Sequence, residues 1–194
     1  MNEISERSRR LVLRDGVDES AVEELATLIG WPRRTDIPAD HEEWTPRQVA
    51  WYAGPAIALT YSEDLLSGFS YVMITGSDER VIRSTVELAE TELNTWRLSE
   101  LVQGVDPDAD PGDYATAVLR LGLGSPSEFD EEFFRIISQA LRSHWPEVRK
   151  NAVWAITYEP WPAYATPLGE LLQEEKDEEL ADTARIVLEE MTAT

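Results

Sequence analysis

Read for the spacing of its apolar positions, the chain changes character near its middle. Residues 18–30 carry a helical period: Val22, Leu25, Leu28 and Ile29 share a face, Asp18 is placed to cap the start, and Gly30 before Trp31-Pro32 ends it. The polar stretch Arg33 to Glu43, with Pro38 inside it, reads as a loop. Thr45, Pro46 and Gln48 fit a capping box, with Trp44 and Val49 as its hydrophobic staple, and predict a short helix stopped by Gly54-Pro55. The period then shortens. Ala56 to Tyr61 and Phe69 to Thr75 are rich in β-formers and predict a two-stranded hairpin, connected through Ser62 to Gly68. Gly76-Ser77-Asp78 opens a longer helix with Ile82, Val86, Ala89, Leu93 and Trp96 on one face, followed by Leu98 to Val102 as its bent continuation or a second short helix.

Beyond the acidic, proline-bearing segment 106–113 every apolar pattern is helical: 114–122, 129–141, 146–158, 164–174 and 178–191. Short Pro- or Gly-bearing connections join several of these segments, a spacing that favours antiparallel helix pairs. The segments also repeat. A shift of 35 residues places Phe129 on Tyr164, Phe133 on Leu168, Ile136 on Leu171 and Ile137 on Leu172. A shift of 32 places Val148 on Leu180, Ala152 on Ala184 and Ile156 on Leu188. Upstream, 35 residues relate Ala117, Val118 and Leu121 to Ala152, Val153 and Ile156. A helix pair that buries one face alone must stack on neighbours to build a core.

The segment from His144 to Ile156, with Pro146-Glu147-Val148-Arg149 opening a small-residue helix at Ala152, resembles the inter-helix turn and second helix of HEAT-like repeats of the armadillo class. The resemblance covers about residues 113–191. It implies stacked helix pairs and a protein-binding role, and it specifies no chemistry. The expected fold is therefore mainly α: a short HEAT-like α-α solenoid with a small N-terminal α+β portion containing a β-hairpin. Expected domains are an N-terminal cap at 1–105, an acidic linker at 106–113 and helical repeats at 114–194.

Charge narrows the partner. The 194 residues hold 38 Asp plus Glu against 17 Lys plus Arg, a net charge of -21. Such a field disfavours direct nucleic-acid binding and anionic membranes, and it draws in a basic protein. Residues 151–194 alone hold ten acids and two bases, with Glu174, Glu175, Glu178 and Glu179 crowded together. The absence of cysteine removes disulfides, thiolate metal sites and cysteine nucleophiles. Met1 to Arg14 lacks the apolar core of a signal peptide, and no apolar run is long enough to span a bilayer, so a cytoplasmic location is expected.

Candidate chemistry is sparse. Asp106, Asp108 and Asp110 start like a calcium loop, but Pro111 occupies the glycine position and Ala117 the bidentate Glu position. Gly122-Leu123-Gly124-Ser125 has no following Lys and reads as a helix stop. His41 and His144 are not at metal-ligand spacing, and no serine nucleophile elbow is present. No cofactor, metal or catalytic residue is expected.

Aromatic density is high around Trp145, Trp154, Tyr158, Trp161 and Tyr164, and either core or interface accounts for it. Tyr158-Glu159-Pro160-Trp161-Pro162 lies between repeats and offers an aromatic anchor beside an acid. The candidate partner surface is therefore Trp145, Tyr158, Glu159, Trp161, Glu174, Glu175, Glu178 and Glu179. The function expected is a non-catalytic acidic binding module, concretely an immunity protein or antitoxin that covers a basic toxin. The alternatives are a HEAT-like enzyme such as a DNA glycosylase, which needs Arg120, Arg135, Arg142 and Arg149 along one groove, and a structural adaptor.

Overall fold

A computed structural model describes residues 6–54 and 57–193, which fall into two compact units, residues 1–97 and 98–194. The first unit overturns the expected mainly α solenoid. It is built on a six-stranded antiparallel sheet, so the chain is an α+β protein rather than a helical stack with a small hairpin. The strands are β1 (Glu6–Arg7), β2 (Leu11–Val12), β3 (Arg33–Ile37), β4 (Gln48–Tyr52), β5 (Ile57–Glu63) and β6 (Ser70–Gly76), with helices α1 (Glu19–Leu28) and α2 (Glu79–Glu92). Strands β3 to β6 form a meander, and β1 and β2 return from the N-terminus to pair with β6.

The hairpin expected from the sequence is β5–β6, and its Ala56 start lies outside the described residues. The helix expected after Thr45 does not form. Val49 and Trp51 point into the core while Gln48, Ala50 and Tyr52 face the other way, so this segment is a central strand between β3 and β5. Pro46 precedes that strand, and an Asp40–Thr45 pair closes the loop before it. The stretch taken for a loop supplies β3, an edge strand whose residues are almost all exposed, which is why no alternating pattern marked it.

One sheet face carries Val49, Trp51, Leu59, Tyr61, Val72 and Ile74 into a core shared with Val22 and Leu25 of α1 and Ile82 and Ala89 of α2. Asp18 and Asp78 cap the two helices through their carboxylates. The Trp51 indole N–H donates to Glu23 of α1 at 2.9 Å. Glu19 of the same helix takes Arg33 of β3 and Arg47 at 2.8 Å each, and both arginines also pair with Asp36. These contacts tie α1 to the edge of the sheet. Arg47 beside Asp36 holds its carboxyl below the usual range.

The second unit is helical: α3 (Leu98–Gln103), α4 (Pro111–Leu123), α5 (Glu131–Ala140), α6 (Pro146–Tyr158), a single 3-10 turn at Pro162–Tyr164, α7 (Ala165–Glu174) and α8 (Glu178–Thr192). Asp110 caps α4 with Pro111 in its first turn, and Asp130 and Asp177 cap α5 and α8. The central pair is α4 with α6, flanked by α5, while α7 pairs with α8 and α8 also meets α6. Gly124 caps α4, as its sequence suggests, but Gly122 does something else. A Cβ placed on Gly122 would lie 2.5 Å from the Ala155 Cβ, so the α4–α6 crossing depends on glycine there. Val118, Leu121, Val148, Ala152 and Ile156 are buried in this unit, and so are Leu180 and Ala184 of α8.

Candidate functional site

The turn after α5 and the turn after α7 open at the same end of the helical unit and form a cleft of about 570 Å³. Its sequence origin is local. Helix α5 stops at Leu141, the Trp145 backbone N–H donates to the Ser143 hydroxyl, and Pro146 starts α6. On the other wall, Glu175 ends α7 and Asp177 caps α8 through the Glu179 and Leu180 N–H groups.

Arg149, in the first turns of α6, joins the two walls. Its guanidinium donates to both Glu175 carboxylate oxygens, at 2.7 and 3.0 Å, and to the Ser143 carbonyl at 3.0 Å. Glu175 also accepts the backbone N–H groups of Lys176 and Asp177, and its side chain is only 2% exposed. The hydrogen bond from Arg149 is the main reason the Glu175 carboxyl is pulled down to about 2, with the two backbone N–H groups adding to it. Arg142 pairs with Glu170 at 2.6 Å across the same cleft, and Lys150 reaches Glu179 at 3.4 Å.

Charge at this end is therefore sorted. Residues 98–194 hold 20 acidic and 7 basic side chains. Of the bases at this end, Arg142, Arg149 and Lys150 are held in ion pairs within the unit, and Lys176 is exposed with no ion pair among the described residues. Glu174 and Glu178 are exposed, and no hydrogen bond or ion pair engages either carboxylate among the described residues. No grouping of three or more metal-ligating side chains occurs among the described residues. Glu175 is displaced away from neutrality, the direction opposite to what a general acid or base at neutral pH requires. The arrangement presents charge and shape.

The residues expected to touch a partner separate into two places. Trp145 (41% exposed), Glu174, Glu175, Glu178 and Glu179 belong to the turns at the cleft end. Tyr158 ends α6 at its opposite end, Glu159 and Trp161 follow it, and 13 residues of helix put about 20 Å between the two groups. Tyr158 is half-buried and Glu159 is buried. Trp161 is buried as well (6% exposed), stacked on Tyr164 with ring centroids 5.6 Å apart and edge-on to Phe129 at 5.4 Å. Phe134 closes the cluster against Tyr164 at 5.2 Å, and burial drives the Tyr164 hydroxyl far above its ordinary value. Trp161 thus packs within the unit, and Trp145, against the His144 ring at 4.4 Å, is the exposed aromatic of the turn that opens α6.

Nothing in the sequence pairs Arg142 with Glu170 or Arg149 with Glu175. The three pairs, Lys150–Glu179 included, join residues 28, 26 and 29 positions apart, separations that match neither the 35- nor the 32-residue shift, so no sequence period marks them. Among the described residues, no helix is long and apolar enough to cross a membrane. Compared with known proteins, the chain matches no protein-family model, no curated protein and no solved structure.

Proposed function

We propose that this chain is a non-catalytic protein-binding module for a basic partner, acting in the cytoplasm, with the α5–α6 and α7–α8 turns as its landing surface. The observation that carries the reading is the sorting of charge at the cleft end: Arg142 and Arg149 are held by ion pairs within the unit, the carboxylates of Glu174 and Glu178 face solvent and outnumber the one exposed base there, Lys176, and Trp145 is exposed in the turn that opens α6. Uncompensated like charge accelerates encounter with a basic protein, and a large exposed ring slows its departure. An immunity protein or antitoxin covering a basic toxin is the concrete form of this activity. The helix-pair resemblance noted at residues 113–191 supports the same reading. The alternative of a nucleic-acid enzyme draws less support, because two of the four arginines it needs are already held by Glu170 and Glu175.

The test is affinity capture followed by binding kinetics on the recovered partner. Association should slow by about tenfold or more between low and physiological salt. Charge reversal at Glu174, Glu178 and Glu179 should lower the association rate, whereas Trp145→Ala should raise the dissociation rate. Recovery of no protein partner, together with turnover of a nucleic acid or small molecule by the purified chain, refutes the reading.

A further inference from the structure

The sheet of the N-terminal unit has a second face, opposite the core. One cross-strand row on it runs Ile37, Gln48, Ser62, Tyr71 over β3, β4, β5 and β6. At this end of the sheet, the loop before β4 and the β5–β6 turn enclose a concavity of about 230 Å³, lined by Trp44, Pro46, Ser62, Asp64, Leu65, Leu66 and Tyr71.

Two features there run against folding economy. Trp44 has φ of 51°, the only left-handed non-glycine residue among those described, and the residue is 75% exposed. A bulky residue in that conformation is strained, and an Asp40–Thr45 backbone pair holds it there. No hydrogen bond or ring contact engages the indole among the described residues. In the lining of the same concavity, Ser62 is 1% exposed and its hydroxyl has no hydrogen-bond partner. Strain and an unsatisfied polar atom at one place mark a site shaped for something other than stability.

The lining describes its occupant. The walls are aromatic and aliphatic, and the polar groups are the Ser62 hydroxyl, which can accept, and the Asp64 carboxylate, which already accepts from the Ser67 N–H and hydroxyl. Asp40, Glu42 and Glu43 lie in the Trp44 loop, so the surroundings are acidic. An anion is repelled. A side chain with an apolar stem and a flat, donor-only cationic head fits both walls and acceptors. The protein already places one such group nearby: the Arg10 guanidinium lies 5.8 Å from the Tyr71 ring centroid.

We propose that this concavity receives an arginine side chain of the basic partner protein, stacked on Trp44 and donating to the Ser62 hydroxyl; the protein identity of the occupant rests on the function proposed above. The test is an NMR titration of the full chain with an acetylated, amidated Gly-Arg-Gly peptide and its citrulline counterpart, which keeps the shape and loses the charge. The arginine peptide should shift the Trp44 indole N–H and the Ser62 amide saturably, and the citrulline peptide should bind about fivefold or more weakly. Trp44→Gly should abolish the shift of the Ser62 amide, and Ser62→Ala that of the Trp44 indole N–H, each variant melting at or above the wild-type temperature, since one relieves the left-handed φ and the other removes an unsatisfied hydroxyl. A structural role for either residue predicts the opposite change in melting. Equal binding of the citrulline peptide, or wild-type binding by both variants, overturns the site. Shifts confined to the Glu174 and Glu178 end also overturn it, and they leave the basic-partner reading standing. If the peptide titrates at Trp44 while the chain binds no basic protein, the site stands and that reading falls.

Discussion

Replacing Gly122 with alanine should destabilise the helical unit, against the intrinsic preference of a helix for alanine. A new Cβ at this position meets the Ala155 Cβ at 2.5 Å, its Cα at 2.6 Å and its carbonyl oxygen at 2.7 Å. Carbon atoms pack at about 3.5–4.0 Å, so α4 and α6 must separate by about 1 Å at their crossing. Two of the three obstacles are backbone atoms, and no rotamer change can clear them. A gap of that size forfeits about a quarter to a half of the dispersion energy between facing atoms, here those around Val118, Leu121, Ala152 and Ile156. Overpacking of this kind costs about 1–3 kcal/mol, and the helix-propensity gain of about 1 kcal/mol offsets only part of it. The control is Gly169→Ala in α7, where an added Cβ meets nothing within 4 Å. That substitution should stabilise by about 0.5–1 kcal/mol. Thermal melts of the full chain followed by helical circular dichroism give the comparison, since 1 kcal/mol moves the midpoint of a unit this size by about 4–8 °C. If Gly122→Ala melts at or above wild type, the close α4–α6 approach is refuted.

The Glu175–Arg149 pair makes a pH prediction. The Glu175 carboxyl sits near 2 in the folded chain against an ordinary 4.5, so its stabilisation is complete above about pH 4.5 and is lost as pH falls toward 2. Its size is about 3 kcal/mol, and Glu175→Gln should flatten that stretch of the denaturation profile; an unchanged acid profile would contradict the buried pair. Trp161→Ala should cost about 3–5 kcal/mol of stability, as for a core aromatic, whereas Trp145→Ala should stay within about 0.5 kcal/mol. Urea unfolding of the two variants checks this, and equal effects would mean the two rings are not in different environments. Ala152→Phe should lose about 1–3 kcal/mol, because Ala152 is fully buried in α6; a melt indistinguishable from wild type would count against that packing.

Helices were legible in the sequence where capping residue and apolar period agreed. Asp18 and Asp78 cap the helices their sequences announce, and α6 runs from Pro146 to Tyr158, the bounds its pattern predicts. The sheet was mostly hidden, for separate reasons. Strands β1 and β2 have two residues each, too few for any period. Edge strand β3 buries none of its five residues, so it lacks the alternation that exposes a strand. Strand β4 did alternate, but the local resemblance of Thr45–Gln48 to a capping box outweighed it. In the candidate site, the crowd of acids was visible by composition. That Glu175 is consumed by Arg149 while Glu174 and Glu178 stay free depends on which helix turn meets which. Trp161 shows the same limit: a proline-flanked aromatic between helices has one sequence signature whether it faces solvent or lies against Tyr164 and Phe129.

The return of β1 and β2 to β6 gives the chain a timetable during synthesis. Leu11 pairs with Val72, so the segment that is made first waits for a partner made 61 residues later. At about 5–20 residues per second this delay is about 3–12 s. Helix α1 and the β3–β4 pair are polymerised in that interval, while Leu11, Val12 and Leu13, all buried at the end, remain uncovered. Arg7, Arg9, Arg10 and Arg14 flank those three residues and carry a concentrated positive charge. In the finished fold, Arg9 meets Glu90 at 2.7 Å and Arg14 lies over the Trp96 ring at 4.0 Å, partners that emerge later still. Before then the same arginines keep a sticky nascent segment solvated and discourage two growing chains from pairing through it. Truncating the first strands should therefore lower the yield of soluble chain on the ribosome more than it lowers the stability of protein already folded.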